Sequence, residues 1–158
     1  MVQLTGPHIQ AHELTGTATP AAYPYGTRAR DDEGNEYIYL KGVALTVTGT
    51  WVTYDELGVT TRLVASAKGP VAVAMAAITA DLNGWFCIFG KVNAYLTVST
   101  DDNALIGYET TPGSVGDGKA TGDEIYGAMS RTDTAALATG AHPCQIWYPW
   151  VDAILTRD

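Results

Sequence analysis

The sequence predicts an all-β protein: a compact sandwich or barrel-like domain with an extended N-terminal arm and long surface loops. Three observations predict it. Val92, Ala94, Leu96 and Val98 alternate with Asn93, Tyr95, Thr97 and Ser99, the period of two that puts one face of a strand in a core. Short runs rich in Val, Ile, Thr, Tyr and Trp recur between clusters of Gly, Pro, Asn and Asp, the punctuation of many short strands. No stretch carries a sustained amphipathic helix, so layers of strands must supply the core. The 158 residues suit one full core plus an arm, divided as an arm over 1–25 and a single β-rich domain over 26–158.

The elements follow in chain order. Met1 to Tyr25 contains Gly6, Pro7, Gly16, Pro20 and Pro24 and shows neither helical nor strand periodicity, so it reads as extended backbone. Such a segment buries too little surface alone; it stays mobile or folds against something else. Thr27 to Lys41 reads as a hairpin, with turn chemistry at Asp31-Asp32-Glu33-Gly34-Asn35 and a β-prone return at Glu36-Tyr37-Ile38-Tyr39-Leu40. Val43 to Thr53 continues the β pattern through Trp51. Tyr54 to Gly58 is a turn, or at most one helical turn, and Val59 to Ala65 a further strand. Lys68-Gly69-Pro70 breaks it before Val71 to Ile78, whose small residues fit a strand or a short buried helix; the turn residues on both sides favour the strand. Gly84-Trp85-Phe86-Cys87-Ile88-Phe89-Gly90 is a continuous apolar run, and Gly90 marks a bulge or tight bend before the alternating segment. Asp101 to Glu124 reads as a long surface loop with a short strand at Ala104 to Tyr108. Ile125 to Arg131 and Gln145 to Trp150 are two more strands, joined by a flexible Thr132 to Gly140.

Composition narrows the function. The formal net charge is −8 with nine scattered Lys and Arg, which argues against nucleic-acid binding because no basic patch can neutralise a run of phosphates. No window approaches the roughly 18 apolar residues of a membrane helix. Met1 to Thr19 lacks the basic start and apolar stretch of a secretory signal, so a cytosol-like compartment is expected, with Cys87 and Cys144 as thiols and Cys87 buried. Charged residues make up 16% of the chain, below the usual share of about 25%, as suits a surface that lies against a partner.

No motif points to catalysis. Gly113-Ser114-Val115-Gly116-Asp117-Gly118-Lys119 has the spacing of a phosphate loop, but Ala120 stands where Ser or Thr should hold magnesium and Asp117 puts a negative charge in the cradle. His8 and His12 have helix-turn spacing without a helical pattern or a third ligand. Asp31, Asp32, Glu33 and Glu36, like Asp101-Asp102-Asn103, read as solvated acidic turns without the spacing of a calcium loop. Cys144 lies near His142, but no third group orients a dyad, and no Gly-x-Ser-x-Gly elbow is present. The expectation is therefore a non-enzyme with no catalytic residue, no cofactor and no metal. Tyr23, Tyr25, Tyr126, Trp147, Tyr148 and Trp150 could stack on sugars, but core or subunit interface is the favoured reading; Tyr23, Tyr25, Trp147 and Trp150 are the predicted partner-binding residues.

The order of these features resembles the head decoration, or capsid cement, proteins of tailed bacteriophages. The resemblance runs from Tyr23-Pro24-Tyr25-Gly26-Thr27 through Asp55-Glu56, Val71-Ala72-Val73-Ala74, Ala77-Ile78, Asn83-Gly84-Trp85-Phe86 and Ile88-Phe89-Gly90. It continues in the loop Thr110 to Gly118 and the closing Ile146-Trp147-Tyr148-Pro149. It implies a β-rich structural virion protein that binds the major capsid protein on the outside of an expanded capsid and clamps it against internal pressure. It also implies a homo-oligomer, a trimer near threefold positions being favoured although dimers occur among capsid cements. Assembly would take place in the host cytoplasm and the final location would be the capsid surface. The resemblance carries no active-site residues. The alternative is a carbohydrate-binding module on a phage head or tail, motivated by the exposed aromatics. In the capsid reading the proline-rich arm, Met1 to Tyr25, would order on binding and reach across a subunit boundary.

Overall fold

Strand β7, the fourteen residues Asn83–Leu96, is the axle of the fold. The computed structural model describes residues 9–117, 124–135 and 137–152. Along them run α1 (Ala11–Leu14), β1 (Thr17–Ala18), β2 (Arg28–Arg30), β3 (Glu36–Lys41), β4 (Trp51–Tyr54), β5 (Thr60–Arg62) and β6 (Lys68–Ala74). After β7 come β8 (Leu105–Tyr108), β9 (Val115–Asp117), β10 (Glu124–Ser130) and β11 (Gly140–Asp152). The protein is all-β, as its strand periodicities predict.

Both edges of β7 are occupied. One edge pairs with β3, from Lys41 opposite Asn83 to Glu36 opposite Phe89, and then with β9 at Leu96. The other edge is shared by β1 at Asn83 and Gly84, β6 at Phe86 and Cys87, and β11 from Phe89 to Leu96. Pairings β7–β11, β11–β10, β10–β8, β8–β9 and β9–β7 close into a ring, a small barrel filled by Val92, Ala94, Leu96, Ile106, Val115, Ile125, Ala128, Cys144 and Ile146. Beyond the ring, the sheet extends through β3 and β2 on one side and β6, β4 and β5 on the other.

Strands β3 and β4 and the second half of β6 in this extension are buried on both faces. Tyr37, Tyr39, Val71, Val73, Trp85 and Cys87 join the barrel's core, while Ile38, Leu40, Ala72, Ala74, Phe86 and Ile88 form a second cluster. That explains the change of pattern within β7. Residues 85–88 are apolar without interruption because both of their faces are covered; residues 92–96 alternate because one face lines the barrel and the other meets solvent. Gly90 sits at the change-over with φ +106°, and Asn35 lies where its Cβ would be. The Asn35 amide oxygen accepts a hydrogen bond from the Lys91 N–H at 2.9 Å, a close approach that a side chain at 90 would block.

The structure corrects the reading of residues 9–25 as an arm. Ile9 and Leu14 are buried in the main core. Gln10 N–H donates to the Glu13 carboxylate at 2.9 Å, closing the single turn of α1. Thr17 pairs with Gly84, and Thr19 Oγ1 donates to the Asp81 carbonyl at 2.7 Å. Isolated anchors separated by turn residues tie this segment down, and isolated anchors generate no period. Removing residues 1–19 would therefore strip core contacts from the domain itself.

Other boundaries move for similar reasons. Val43 to Thr50 is a pair of turns instead of a strand, with Thr46 N–H on the Val43 carbonyl and Thr50 N–H on that of Val47. Lys68-Gly69-Pro70 lies inside β6, paired with Asp152, Val151 and Trp150. Strand β6 stops at Ala74, and Ile78 is buried from a turn. Within the expected loop 101–124, β8 matches the predicted short strand, and β9 is an addition. β11 begins at Gly140, five residues before the expected start at Gln145.

Both cysteines are free and buried. Burial raises the Cys87 and Cys144 thiols from about 9 to about 12. Because the folded state holds these protons while the unfolded chain releases them, the two thiols cost no stability below pH 9 and an increasing amount as pH rises towards 12. Denaturation midpoints measured across that range should fall. Both thiols should also stay unreactive to a disulfide reagent at pH 8 until the chain unfolds. Trp85, 3% exposed, is a core side chain, and Trp85→Ala should cost about 3–5 kcal/mol by chemical denaturation.

Candidate functional site

β6 and β7 part company beyond the Val73–Cys87 pair, and β11 bridges the fork. Its residues 140–147 pair with β7, and 150–152 pair with β6. At that switch Trp147, Tyr148 and Pro149 bulge opposite a single residue of β10, Gly127, flanked by the pairs Tyr126–Trp150 and Ala128–Ile146. A bulge re-aims side chains, and here it turns out a run of aromatics: Trp147 is 38%, Tyr148 49% and Trp150 50% exposed.

Tyr148 carries the strain of the bulge, with φ +47°, in the left-handed region that costs an ordinary residue roughly 1–2 kcal/mol. Its side chain is pinned. The hydroxyl donates to a Glu36 carboxylate oxygen at 2.7 Å, and the ring lies 5.2 Å from that of Phe89, tilted by 37°. Glu36 is only 5% exposed, and its other oxygen is ion-paired with Arg30. Opposite, Gly127 has φ +74°, and a Cβ there would run into the Trp147 carbonyl oxygen.

The bulge rims a cleft of about 320 Å³ over the fork. Tyr54, Tyr148 and Trp150 supply aromatic surface, Pro70 and Pro149 aliphatic surface, and Arg28 the one cation of the lining. Arg28, on the edge strand β2, has no ion pair among the described residues, whereas its neighbour Arg30 is committed to Glu36. Burial lifts the Tyr54 phenol above its ordinary value against the opposing charge of Arg28, so the hydroxyl is a neutral donor at physiological pH.

Of the four predicted partner-binding residues, Trp147 lies in this bulge and Trp150 borders it, and only Trp150 lines the cleft. Tyr23 lies elsewhere, its ring 5.3 Å from those of both Tyr39 and Trp85. Tyr25 packs beside Gly58 and donates its hydroxyl to Asn83 at 2.7 Å. Arg28 and Tyr54 join Trp150 only through the fold, since they come from β2 and β4; sequence carries no signal for their meeting. The two prolines of Pro143 to Pro149 within a strand-like run were the available sign of irregular pairing.

The other motifs resolve as structural parts. Val115–Asp117 is a strand, and Lys119 and His8 lie outside the described residues. His12 sits on α1, and no group of three potential metal ligands occurs among the described residues. Asp31 organises its hairpin, accepting hydrogen bonds from Tyr37 OH and Asn35 Nδ2 at 2.7 Å and from the N–H groups of Glu33 and Asn35 at 2.9 Å. Burial pushes its carboxyl up, but those donors outweigh it and hold the carboxyl below its usual range. His142 Nε2 lies 2.9 Å from the Ala138 carbonyl, and the protonated Cys144 thiol points to the His142 carbonyl at 3.5 Å; the two side chains do not pair.

No family model matches the chain, and neither the curated proteins nor the solved structures hold a match to it. Gly127→Ala should destabilise the protein by at least about 1–2 kcal/mol, the cost of a side chain at positive φ, with a further cost from the collision with Trp147. Urea titration of the variant measures the loss.

Proposed function

We propose that this chain is a structural virion protein that binds the outer surface of a phage capsid and stabilises it as a decoration, or cement, protein. The observation that carries this reading is the aromatic bulge of β11. It presents Trp147, Tyr148 and Trp150 on backbone paired to three neighbouring strands. Exposed Trp and Tyr held on a rigid element are the side chains that dominate protein–protein contacts. The low share of charge supports close apolar contact, and the resemblance in feature order supplies the partner, the major capsid protein. In this reading the protein is a homo-oligomer, a trimer favoured, and capsid symmetry lets several weak contacts add. The work is mechanical and calls for no catalytic group. Residues 9–25 are folded onto the domain, so the bulge, more than that segment, carries attachment. A second reading, a carbohydrate-binding module on a phage head or tail, is favoured by the aromatic walls of the cleft.

The test is the copy number of this chain in purified particles of its source, by quantitative mass spectrometry against the major capsid protein. An abundance comparable to that protein, lost on mild stripping, is expected; a handful of copies or none would overturn the decoration role. The double variant Trp147→Ala/Trp150→Ala should keep its fold. It should bind stripped particles roughly 30-fold or more weakly, the effect of one hot spot worth about 2 kcal/mol.

A further inference from the structure

We propose that the cleft over the β6–β7 fork is a binding subsite for a carboxylate-bearing sugar ring. The ring would stack on the aromatic surface of Trp150 and Tyr54, with its carboxylate on Arg28. This deepens the carbohydrate reading and rests on it; it does not depend on capsid attachment.

Size comes first. At about 320 Å³ the cleft lies at the lower end of the roughly 300–1,000 Å³ of small-molecule sites. One ring with a substituent fits that scale. A polyproline segment, the other ligand that aromatic-lined grooves take, advances about 3.1 Å per residue and needs a long groove.

The chemistry of the lining decides the rest. Aromatic faces are electron-rich and attract the weakly positive C–H groups on the flat side of a pyranose. Tyr54 adds a neutral hydroxyl donor. Arg28 adds a planar fork of donors that matches a carboxylate in two parallel hydrogen bonds. Its charge is uncommitted among the described residues, because the nearby Glu36 is already held by Arg30 and Tyr148. A neutral sugar would leave that cation unanswered.

Net charge narrows the ligand further. At −8 the protein repels polyanions as a whole, so a single acidic ring among neutral ones suits it better than a continuous acidic polymer. A single guanidinium neutralises a carboxylate monoanion in full and leaves a phosphate dianion with one charge over.

The site is prepared in advance. Tyr148 is held in a strained backbone conformation by a buried carboxylate and a neighbouring ring. Strain of this kind collects where a side chain must be aimed, and a pre-set wall lowers the ordering cost of binding.

Isothermal titration and ligand-observed NMR on the full chain test the proposal. The probes are the methyl glycosides of glucuronic acid, galacturonic acid and N-acetylneuraminic acid. The controls are methyl glucoside, methyl galactoside and a proline decapeptide. At least one acidic glycoside should bind saturably and at least tenfold more tightly than the neutral glycosides, with affinity falling as salt rises. Arg28→Ala, a change of an exposed side chain on an edge strand, should reduce that affinity to the neutral level with an unchanged melting temperature. Trp150→Ala should abolish binding of both classes. Equal binding of neutral and acidic sugars, or an unaltered Arg28→Ala, would overturn the carboxylate assignment while leaving a carbohydrate module standing. No binding by any sugar, or binding of the decapeptide alone, would remove the sugar site altogether and leave the capsid reading to its own test.

Discussion

Strand β7 is hydrogen-bonded on both edges along most of its length, and one of those edges has to serve β1, β6 and β11 in turn. Each backbone N–H and C=O in a buried strand needs a partner, so where β6 swings away another strand must take its place. β11 does so and then continues onto β6. A regular strand cannot follow two diverging neighbours in one register. The two residues by which Trp147, Tyr148 and Pro149 outnumber Gly127 absorb the mismatch, and the bulge beside the exposed aromatics is the geometric consequence of the fork. The cleft sits there for the same reason: the sheet divides beside Ile88, and no strand among the described residues fills the gap.

Glu36 is the second constraint. A carboxylate this deeply buried is tolerable only with strong partners, and it has two, Arg30 on the adjacent strand and the Tyr148 hydroxyl across the fork. The pair with Arg30 is half exposed on the arginine side and adds little by itself. The hydrogen bond to Tyr148 is different, because it joins residues 112 positions apart and fixes the one strained residue of the bulge. Loss of that bond would leave a buried charge short of a partner and release the backbone it restrains. The energetic interest of Glu36 thus lies in what it positions.

The sequence shows these devices unevenly. The hairpin of β2 and β3, the alternation of residues 92–96 and the apolar run of 85–88 are legible because each obeys a local rule of period or turn chemistry. Gly90 is legible as an irregularity, though its cause, the side chain of Asn35, comes from a distant turn. Residues 9–25 are not legible as part of the domain, since Ile9, Leu14 and Tyr23 act as separate anchors without a period. β9 escapes notice because three residues beginning with Val115 carry too little pattern. The aromatics Trp147 and Trp150 stand out by residue type, but the cleft does not. Arg28, Tyr54 and Trp150 lie on three strands, and only the fork brings them together.

The same pinned bulge presents two surfaces, and that bears on how the two functional readings relate. Trp147 stands on the bulge without lining the cleft, while Tyr148 and Trp150 face it. A partner protein gripping Trp147 and a small ligand seated beside Trp150 would therefore act on one rigid element. Because Tyr148 is tied through Glu36 to β3, a ligand in the cleft meets walls already set by the core and has little structure left to order. Binding at either surface is then governed by side-chain complementarity more than by refolding of the strand. A protein that has to resist mechanical load, or hold a sugar without yielding, gains from that rigidity in the same way.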